Sequence, residues 1–365
     1  MNAMITTTKT TATCILAIDL GKYKSVACNY DPATSEAHFT TVATTRDELE
    51  RLLSRVQTAV VVIEACTLTG WVYDLCVRLG LTCKVANTAS EAWKFKHAKR
   101  KTDKDDALRL AQLEALGQLP TVTVPSKEVR EWRSLIATRA WLVGRRVAVQ
   151  NRIRAILLSQ GMPVPRGQRA WSELGLQGLD QYSRPLADCG PEELWRGLLA
   201  LTLTEYRQVV DLIKATAAKL DARAKQDESV QILESIPGVG PRTAEAVTAY
   251  LGEPKRFATG KQVSAYGGLV PRQFQSGELD RRGRITRRGP ALLRKVLVEC
   301  AWGMLRHNAW ARAVYQRLTH GGKTHKKQAI VALARKILVR CWAMLRDRTL
   351  WRPELALSDA SATGS

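Results

Sequence analysis

One short run near residue 60 restricts the possible folds more than any other feature of the sequence. Residues 59–63 (AVVVI) are continuously apolar and mostly β-branched, and the run ends at Glu64. A strand without a polar face is typical of a sheet that is covered on both faces. Residues 14–20 (CILAIDL) form a second short apolar run, which is interrupted by Asp19. The front of the chain is therefore predicted to contain a buried α/β sheet.

Strand-like and helical patterns alternate over the first 120 residues. Two extended segments follow the first run after turns, which predicts an antiparallel meander. Helical spacing of apolar residues then alternates with short strands. The predicted elements are strands at 14–20, 24–30 and 37–42, a helix at 45–56, a strand at 59–63, a helix at 70–79, a strand at 82–86 and a helix at 103–116. This order is that of the α/β ribonuclease H-like (RuvC-like) fold.

Beyond residue 120 the sequence becomes mostly helical. Two long stretches, 128–160 and 191–225, keep apolar residues three and four positions apart, which predicts an antiparallel hairpin or a coiled coil. Residues 234–251 (ESIPGVGPRTAEAVTAYL) predict a helix-hairpin-helix element. In its PGVG turn, Gly238 and Gly240 permit close approach to a phosphate, next to the free N–H groups that begin the following helix.

These patterns predict an organisation in five parts. They are a disordered N-terminus (1–13), a RuvC-like α/β domain (14–120), a helical or coiled-coil region (121–226), a mostly α C-terminal domain that ends with a helix at 329–345 (227–352), and a disordered tail (353–365).

The net charge of +22 rises toward the C-terminus. Residues 1–120 carry a net +2, residues 121–225 carry +7 and residues 226–365 carry +13. Because each phosphate contact releases a counterion, nucleic acid is the expected partner of so basic a chain. The basic residues do not lie on one amphipathic helix, so an anionic membrane is the weaker explanation.

Other features exclude secretion, membrane insertion and disulfide scaffolds. No apolar run reaches the ~18–20 residues that cross a bilayer, and the N-terminus lacks the apolar core of a signal peptide. The eight cysteines are scattered, and none forms a C-x-x-C pair. We expect reduced thiols, no structural zinc and a cytoplasmic location in a bacterium.

Four carboxylates stand at positions where a divalent cation is a natural partner. Asp19 and Glu64 end strongly apolar strands, where a charged group needs compensation. Asp103 and Asp106 lie three apart at the start of a predicted helix and therefore share one face, whereas Asp105 lies off it. The alternative is that the helix acids only cap its first turn. As an ordered D…E…D-x-x-D set, the four favour metal binding and phosphoryl transfer.

The motifs around these acids resemble the transposases of the insertion-sequence 110/1111 type, whose DEDD acids lie in a RuvC-like domain. The acids occur here in AIDLGK, VVIEAC and KRKTDKDDALRLA. The C-terminal half follows the family pattern in order. The matching segments are 236–246 (IPGVGPRTAEA), Phe257, 266–272 (YGGLVPR), the Ser276–Gly277 pair, 285–289 (ITRRG) and 292–297 (LLRKVL).

The resemblance implies a mechanism and partners. The acids Asp19, Glu64, Asp103 and Asp106 would hold one or two Mg²⁺ ions, and Ser276 would be the nucleophile. A covalent phosphoserine bond to DNA conserves the energy of the phosphodiester, so no nucleotide cofactor is needed. Donor and target double-stranded DNA, a structured guide (bridge) RNA that pairs with both, and a dimer or tetramer with composite active sites are also implied.

Two basic clusters are candidates for nucleic-acid binding. RRGRITRRG (281–289) has five arginines and no acid, and KFKHAKRK precedes the helix acids. The alternative for the first cluster is a solvated loop, and the alternative for the second is that its basic residues only offset the nearby acids. The candidate residues are Lys94, Lys96, Lys99, Arg100, Lys101, Gly238, Gly240, Arg242, Arg272, Arg281, Arg282, Arg284, Arg287 and Arg288.

Three other functions remain possible at this point. A RuvC-type Holliday-junction nuclease would use metal-activated water and no serine. An actin-like ATPase or sugar kinase also places D-L-G after its first strand, but its further glycine-rich phosphate motifs are not found here. A non-catalytic nucleic-acid-binding protein would bind without cutting.

Overall fold

The computed structural model describes residues 14–55, 60–87, 102–276, 279–321, 323 and 325–353, without the side chains of residues 274–282. The chain divides into two compact units, Met1–Arg130 and Glu131–Ser365. The predicted disordered segments, 1–13 and 353–365, lie outside the described residues except for residue 353.

The first unit contains a five-stranded sheet with three helices. Its strands have the spatial order β3-β2-β1-β4-β5, in which β1 pairs antiparallel with β2 and parallel with β4. Each of the eight predicted elements is present, in the predicted order. They are β1 (Ile15–Asp19), β2 (Lys24–Tyr30), β3 (Ala37–Ala43), α1 (Arg46–Arg55), β4 (Val60–Glu64), α2 (Thr69–Arg78), β5 (Cys83–Ala86) and α3 (Asp103–Ala115).

The two central parallel strands are buried on both faces, as their sequences predict. Because side chains alternate along a strand, each strand contributes to two apolar layers. On one face Leu16, Ile18, Val61 and Ile63 pack with α1 and α2. On the other face α3 packs on the sheet through Ala107, Leu110 and Ala111, and the strand residues beneath it are Ile15, Ala17, Val60 and Val62. We call this second face the α3 face.

The second unit is mostly helical, as predicted. A hairpin of two strands, β6 (Pro271–Ser276) and β7 (Leu279–Ile285), interrupts the helices. The sequence does not predict this hairpin, because neither strand alternates apolar and polar residues. The helices are α4 (Lys127–Ser159, which begins in the first unit), α5 (Glu173–Asp180), α6 (Leu194–Ala224), α7 (Glu228–Glu234), α8 (Pro241–Leu251), α9 (Gly260–Tyr266), α10 (Ala291–His307), α11 (Ala309–Leu318) and α12 (Lys326–Asp347).

The long helices α4 and α6 pack in opposite directions. The early residue Ile136 of α4 shares an apolar cluster with Leu220, near the end of α6. The late residue Leu157 shares another cluster with Leu199, near the beginning of α6. The remaining helices from α7 to α12 enclose the larger core, which also contains Ile136 and Leu220. No described helix is long and apolar enough to span a membrane.

Candidate active site

Asp19 and Glu64 end adjacent parallel strands at the same edge of the sheet. The register places Ile18 opposite Ile63, so the next residue on each strand is one of the two acids. Neighbouring strands are about 4.8 Å apart. By alternation from Ala17 both acids belong to the α3 face, and both are half-buried. The two strand ends that carry these acids are therefore neighbours in the sheet.

The three aspartates in the first turn of α3 have different surroundings. Thr102 is the N-cap residue, and its Oγ1 accepts a hydrogen bond from the Asp105 backbone N–H at 3.3 Å. The Asp105 carboxylate in turn accepts hydrogen bonds from Thr102 N at 3.1 Å and from Thr102 Oγ1 at 2.7 Å. This is a capping box. The capping role therefore falls to Asp105 and leaves the other two aspartates outside the box.

Asp103 and Asp106 lie on the side of α3 that faces the sheet. Asp103 is four residues before the buried Ala107, and Asp106 is four residues before the buried Leu110. Residues four apart share a helix face. Asp103 is exposed, whereas Asp106 is half-buried with its Oδ1 atom shielded from solvent. Three of the four predicted acids, Asp19, Glu64 and Asp106, are thus half-buried at the α3 face, and Asp103 is exposed at the start of α3.

The donor chemistry of this layer suits a hard divalent cation. Carboxylate oxygens are the ligands that Mg²⁺ prefers, and half-buried acids beside an apolar layer benefit from a cation. Within the described ranges, no group of three or more histidine, cysteine or acidic side chains lies close enough together to hold a metal ion. In the described part of the chain, the carboxylates therefore do not surround a single point that one metal ion could occupy.

Ser276 is the last residue of β6, next to the end of the hairpin. Its Cα partner across the hairpin is Leu279, and Gln275 pairs with Asp280. At the other end of the hairpin, Thr286 N donates to Val270 O at 2.8 Å. The acids lie in the first unit and Ser276 lies in the second.

Sequence reasoning missed Arg294, which holds the base of this hairpin. From α10 its Nη1 reaches the carbonyl oxygens of Gly267 (3.3 Å), Arg288 (3.0 Å) and Gly289 (2.9 Å). Burial and the nearby Arg287 lower the pKa of the Arg294 guanidinium below its usual range. The segment LLRKVL contains this arginine, but nothing in the sequence indicates its hydrogen bonds.

Two glycines let the chain segments at the hairpin base touch backbone to backbone. Gly268 has φ of +65° and Gly289 has φ of +83°. A Cβ atom on Gly268 would overlap the Arg288 carbonyl oxygen, and one on Gly289 would overlap the Tyr266 carbonyl oxygen. This contact gives a physical reason for glycine in both YGGLVPR and ITRRG.

The turn between α7 and α8 is packed against α10. Gly238 has φ of +92°, and a Cβ there would lie 2.9 Å from Met304 Cγ. Asn308 Nδ2 donates to Pro237 O at 3.1 Å. In contrast, a Cβ on Gly240 would meet nothing within 4 Å. Of the two predicted phosphate-binding glycines, Gly238 serves packing and Gly240 has open space.

The predicted basic residues have different surroundings. Arg242 forms ion pairs with Asp221 and with Glu245, the latter at 3.0 Å. Glu245 is 1% exposed, and burial raises the pKa of its carboxyl group, while Arg242 and Arg139 oppose the rise. Four predicted residues are exposed, namely Arg272, Arg284, Arg287 and Arg288. Lys94, Lys96, Lys99, Arg100 and Lys101 lie outside the described residues, as do the side chains of Arg281 and Arg282.

The first unit has a ribonuclease H-like fold, and a basic helical unit follows it in the chain. Residues 16–163 match the DEDD transposase family of IS110 elements, and residues 230–316 match the family described as "Transposase IS116/IS110/IS902 family". The chain belongs to this family of insertion-sequence transposases, which confirms the predicted resemblance. The family assignment implies a DNA substrate and indicates dependence on a divalent metal.

Relatives match over most of the chain. The transposase for insertion sequence element IS1111A of Coxiella burnetii is 28% identical over 93% of this chain and 91% of its own length. The putative transposase y4rJ of Sinorhizobium fredii is 30% identical over 77% of this chain and 76% of its own length. The transposase for insertion sequence element IS1328 of Yersinia enterocolitica is 25% identical over 92% of this chain and 98% of its own length.

Proposed function

We propose that this transposase cuts and rejoins DNA through a covalent bond between a DNA phosphate and Ser276, with Mg²⁺ held by Asp19, Glu64, Asp103 and Asp106. The observation that carries the proposal is the α3 face. The half-buried Asp19 and Glu64 end adjacent strands on this face. In the first turn of α3, Asp106 is half-buried and Asp103 is exposed, while the neighbouring Asp105 is occupied by the capping box.

The four acids supply hard oxygen ligands, and three of them, Asp19, Glu64 and Asp106, are half-buried, where charges interact more strongly than in water. One or two Mg²⁺ ions bound there would stabilise the attacking and leaving oxygens of a phosphoryl transfer. The strands fix Asp19 and Glu64 through their backbone pairing, and the capping box fixes the first turn of α3. These carboxylates therefore need little ordering when they bind a cation.

The proposed role of Ser276 is to exchange one phosphate ester for another. Its Oγ forms a bond to phosphorus as it loses its proton, the bond from phosphorus to a deoxyribose oxygen breaks, and that oxygen leaves as a hydroxyl. A DNA hydroxyl later reverses the exchange on the phosphoserine, so no nucleotide cofactor is consumed. The exposed Arg284, Arg287 and Arg288 would stabilise the negative charge on the phosphate.

The proposed partners are donor and target double-stranded DNA and a structured guide RNA. The exposed arginines after the hairpin suit phosphate contacts, which carry no sequence information. Sequence choice would then come from base pairing with the RNA. The turn before α8 belongs to a helix-hairpin-helix element in this proposal, with Gly240 as its open approach to a phosphate.

We further propose that the chain consists of a RuvC-like domain (14–120), a helical region (121–226) and a C-terminal domain (227–352). The helical region would form a coiled coil with the same region of another copy of the chain. On α6, Leu194, Leu198, Leu201 and Leu212 are exposed, at spacings that fit one heptad stripe. Trp141 on α4 is 66% exposed. Such apolar surface is typical of an interface and supports a dimer or tetramer.

The test is strand cleavage and adduct formation by the full-length protein with Mg²⁺, DNA carrying the ends of its element, and RNA transcribed from the flanking non-coding segment. Ser276→Ala is expected to abolish the covalent adduct and cleavage. Asp103→Asn and Asp106→Asn are expected to abolish both, while the control Asp105→Asn retains them, because asparagine also accepts hydrogen bonds at a helix start.

The outcomes separate the rival functions. Cleavage by Ser276→Ala without an adduct would replace the proposal with a water-using, RuvC-type nuclease. DNA binding by the wild type without any cleavage in Mg²⁺ would indicate a non-catalytic binding protein. Equal loss of activity in Asp105→Asn and Asp106→Asn would contradict the assignment of the acids.

A further inference from the structure

Tyr23 is an aromatic side chain that the proposed function does not use. It is 75% exposed, in the turn between β1 and β2, and both flanking lysines, Lys22 and Lys24, are exposed as well. The Lys22 Nζ lies 5.0 Å from the centre of the Tyr23 ring. A single exposed aromatic residue is common on protein surfaces. Tyr23 differs from such residues because it lies in a turn that is fixed by hydrogen bonds.

The turn is fixed by hydrogen bonds to Thr44. Thr44 N donates to Tyr23 O at 2.9 Å, and Thr44 Oγ1 donates to Gly21 O at 2.8 Å. The fully buried Ser25 shares a hydrogen bond of 2.7 Å with the same hydroxyl. A Cβ on Gly21 would overlap the Lys24 carbonyl oxygen, so the turn is also tight. Tyr23 is therefore presented to solvent by a rigid backbone.

The turn lies just beyond the strand end that carries Asp19. Asp19 pairs with Val26, and Tyr23 is three residues from Val26 along the same chain, which corresponds to roughly 10 Å. Lys24 is two positions from Val26 and so belongs to the α3 face, as Asp19 does. The backbone of Lys22, Tyr23 and Lys24 thus lies a few residues from the strand end that carries Asp19.

We propose that Lys22, Tyr23 and Lys24 form a docking surface for the DNA strand on which the acids act. A base next to the cleaved phosphate stacks on the Tyr23 ring, and the lysines contact the flanking phosphates. Stacking needs an unpaired base, so the ligand is a strand opened near the cleavage position. This inference rests on the proposed phosphoryl-transfer role of the acids, but not on Ser276.

The first test is the affinity of the full-length protein for a DNA duplex with a short single-stranded gap at the mapped cleavage position. Tyr23→Ala is expected to weaken binding about tenfold, the effect of losing one base–aromatic stack. Tyr23→Phe keeps the ring and is expected to bind within about twofold of wild type. The control is Val77→Ala, which removes a similarly exposed apolar side chain of the same unit.

Two further measurements test whether Tyr23 acts on DNA binding and not on protein stability, and whether it does so independently of Ser276. Tyr23→Ala should raise KM for cleavage more than it lowers kcat, with an unchanged melting temperature. In the Ser276→Ala variant, a halogenated base beside the cleavage position should still form a photo-crosslink with Tyr23. Wild-type affinity of Tyr23→Ala, or a crosslink from the guide RNA instead of the DNA, would overturn the inference.

Discussion

Replacing Gly268 by alanine tests whether the base of the β6–β7 hairpin is held by backbone contact. Gly268 has φ of +65°, and alanine in this region costs about 1 kcal/mol. Its Cβ would overlap the Arg288 carbonyl oxygen and lie 2.9 Å from both Arg288 N and Arg294 Nη1. The two segments must therefore separate by about 1 Å.

The separation breaks hydrogen bonds that close the hairpin. Arg287 N donates to Gly268 O at 3.2 Å, and Arg294 Nη1 bonds Gly267 O and Arg288 O. At about 1 kcal/mol each, two or three lost bonds bring the total to about 3–4 kcal/mol. Gly161→Ala is the matched control, because Gly161 has φ of +67° with nothing within 4 Å of its Cβ, and it should cost only about 1 kcal/mol.

Native-state hydrogen exchange measures the difference directly. In Gly268→Ala the amides of Thr286 and Arg287 should exchange a few hundredfold faster than in wild type (roughly 140- to 700-fold), while amides of α10 and α12 keep their protection. Gly161→Ala should leave the hairpin amides unchanged. If Gly268→Ala exchanges like Gly161→Ala at Thr286 and Arg287, the backbone contact does not hold the hairpin.

Three further changes have definite expected outcomes. Gly238→Ala should lower the melting temperature because its Cβ would press on Met304, whereas Gly240→Ala should leave it unchanged. Arg133→Ala should destabilise the protein by about 2 kcal/mol in denaturant titration, because Arg133 donates to Ala249 O (2.8 Å) and Tyr250 O (3.2 Å) at the end of α8; a change below about 0.5 kcal/mol would contradict this role. Because burial raises the pKa of Glu245, the folded protein favours its protonated form, and the contribution of Glu245 to stability is lost as pH rises through that raised pKa. The melting temperature of Glu245→Gln should therefore rise relative to that of the wild type as pH increases through that pKa. A difference between the two melting temperatures that is constant across pH would refute the raised pKa of Glu245.

The α/β unit was predictable because its strands follow a simple physical rule. The runs near residues 15 and 60 lack a polar face, which predicts central strands, and in the structure their acids end neighbouring strands at one edge of the sheet. The spacing of Asp103 and Asp106 placed both on one helix face. The capping box of Asp105 then confirms which of the three aspartates performs the capping role.

The features that escaped prediction depend on contacts between distant segments. The sequence of the β6–β7 hairpin has no alternating pattern of apolar and polar residues and is rich in charge. Arg242 stays a predicted nucleic-acid-binding residue, and nothing in the sequence indicates its ion pairs with Asp221 and Glu245. The three carbonyl contacts of Arg294 join parts of the chain that only folding brings together.

The most direct test of the account is the identity of the residue that becomes attached to DNA. The protein is incubated with Mg²⁺, element-end DNA and the flanking RNA, then denatured and digested, and the nucleotide-bearing peptide is sequenced by mass spectrometry. The account predicts a single phosphodiester adduct on Ser276 that is absent in Asp19→Asn. Cleaved DNA with no attached peptide, or an adduct on another residue, would contradict it.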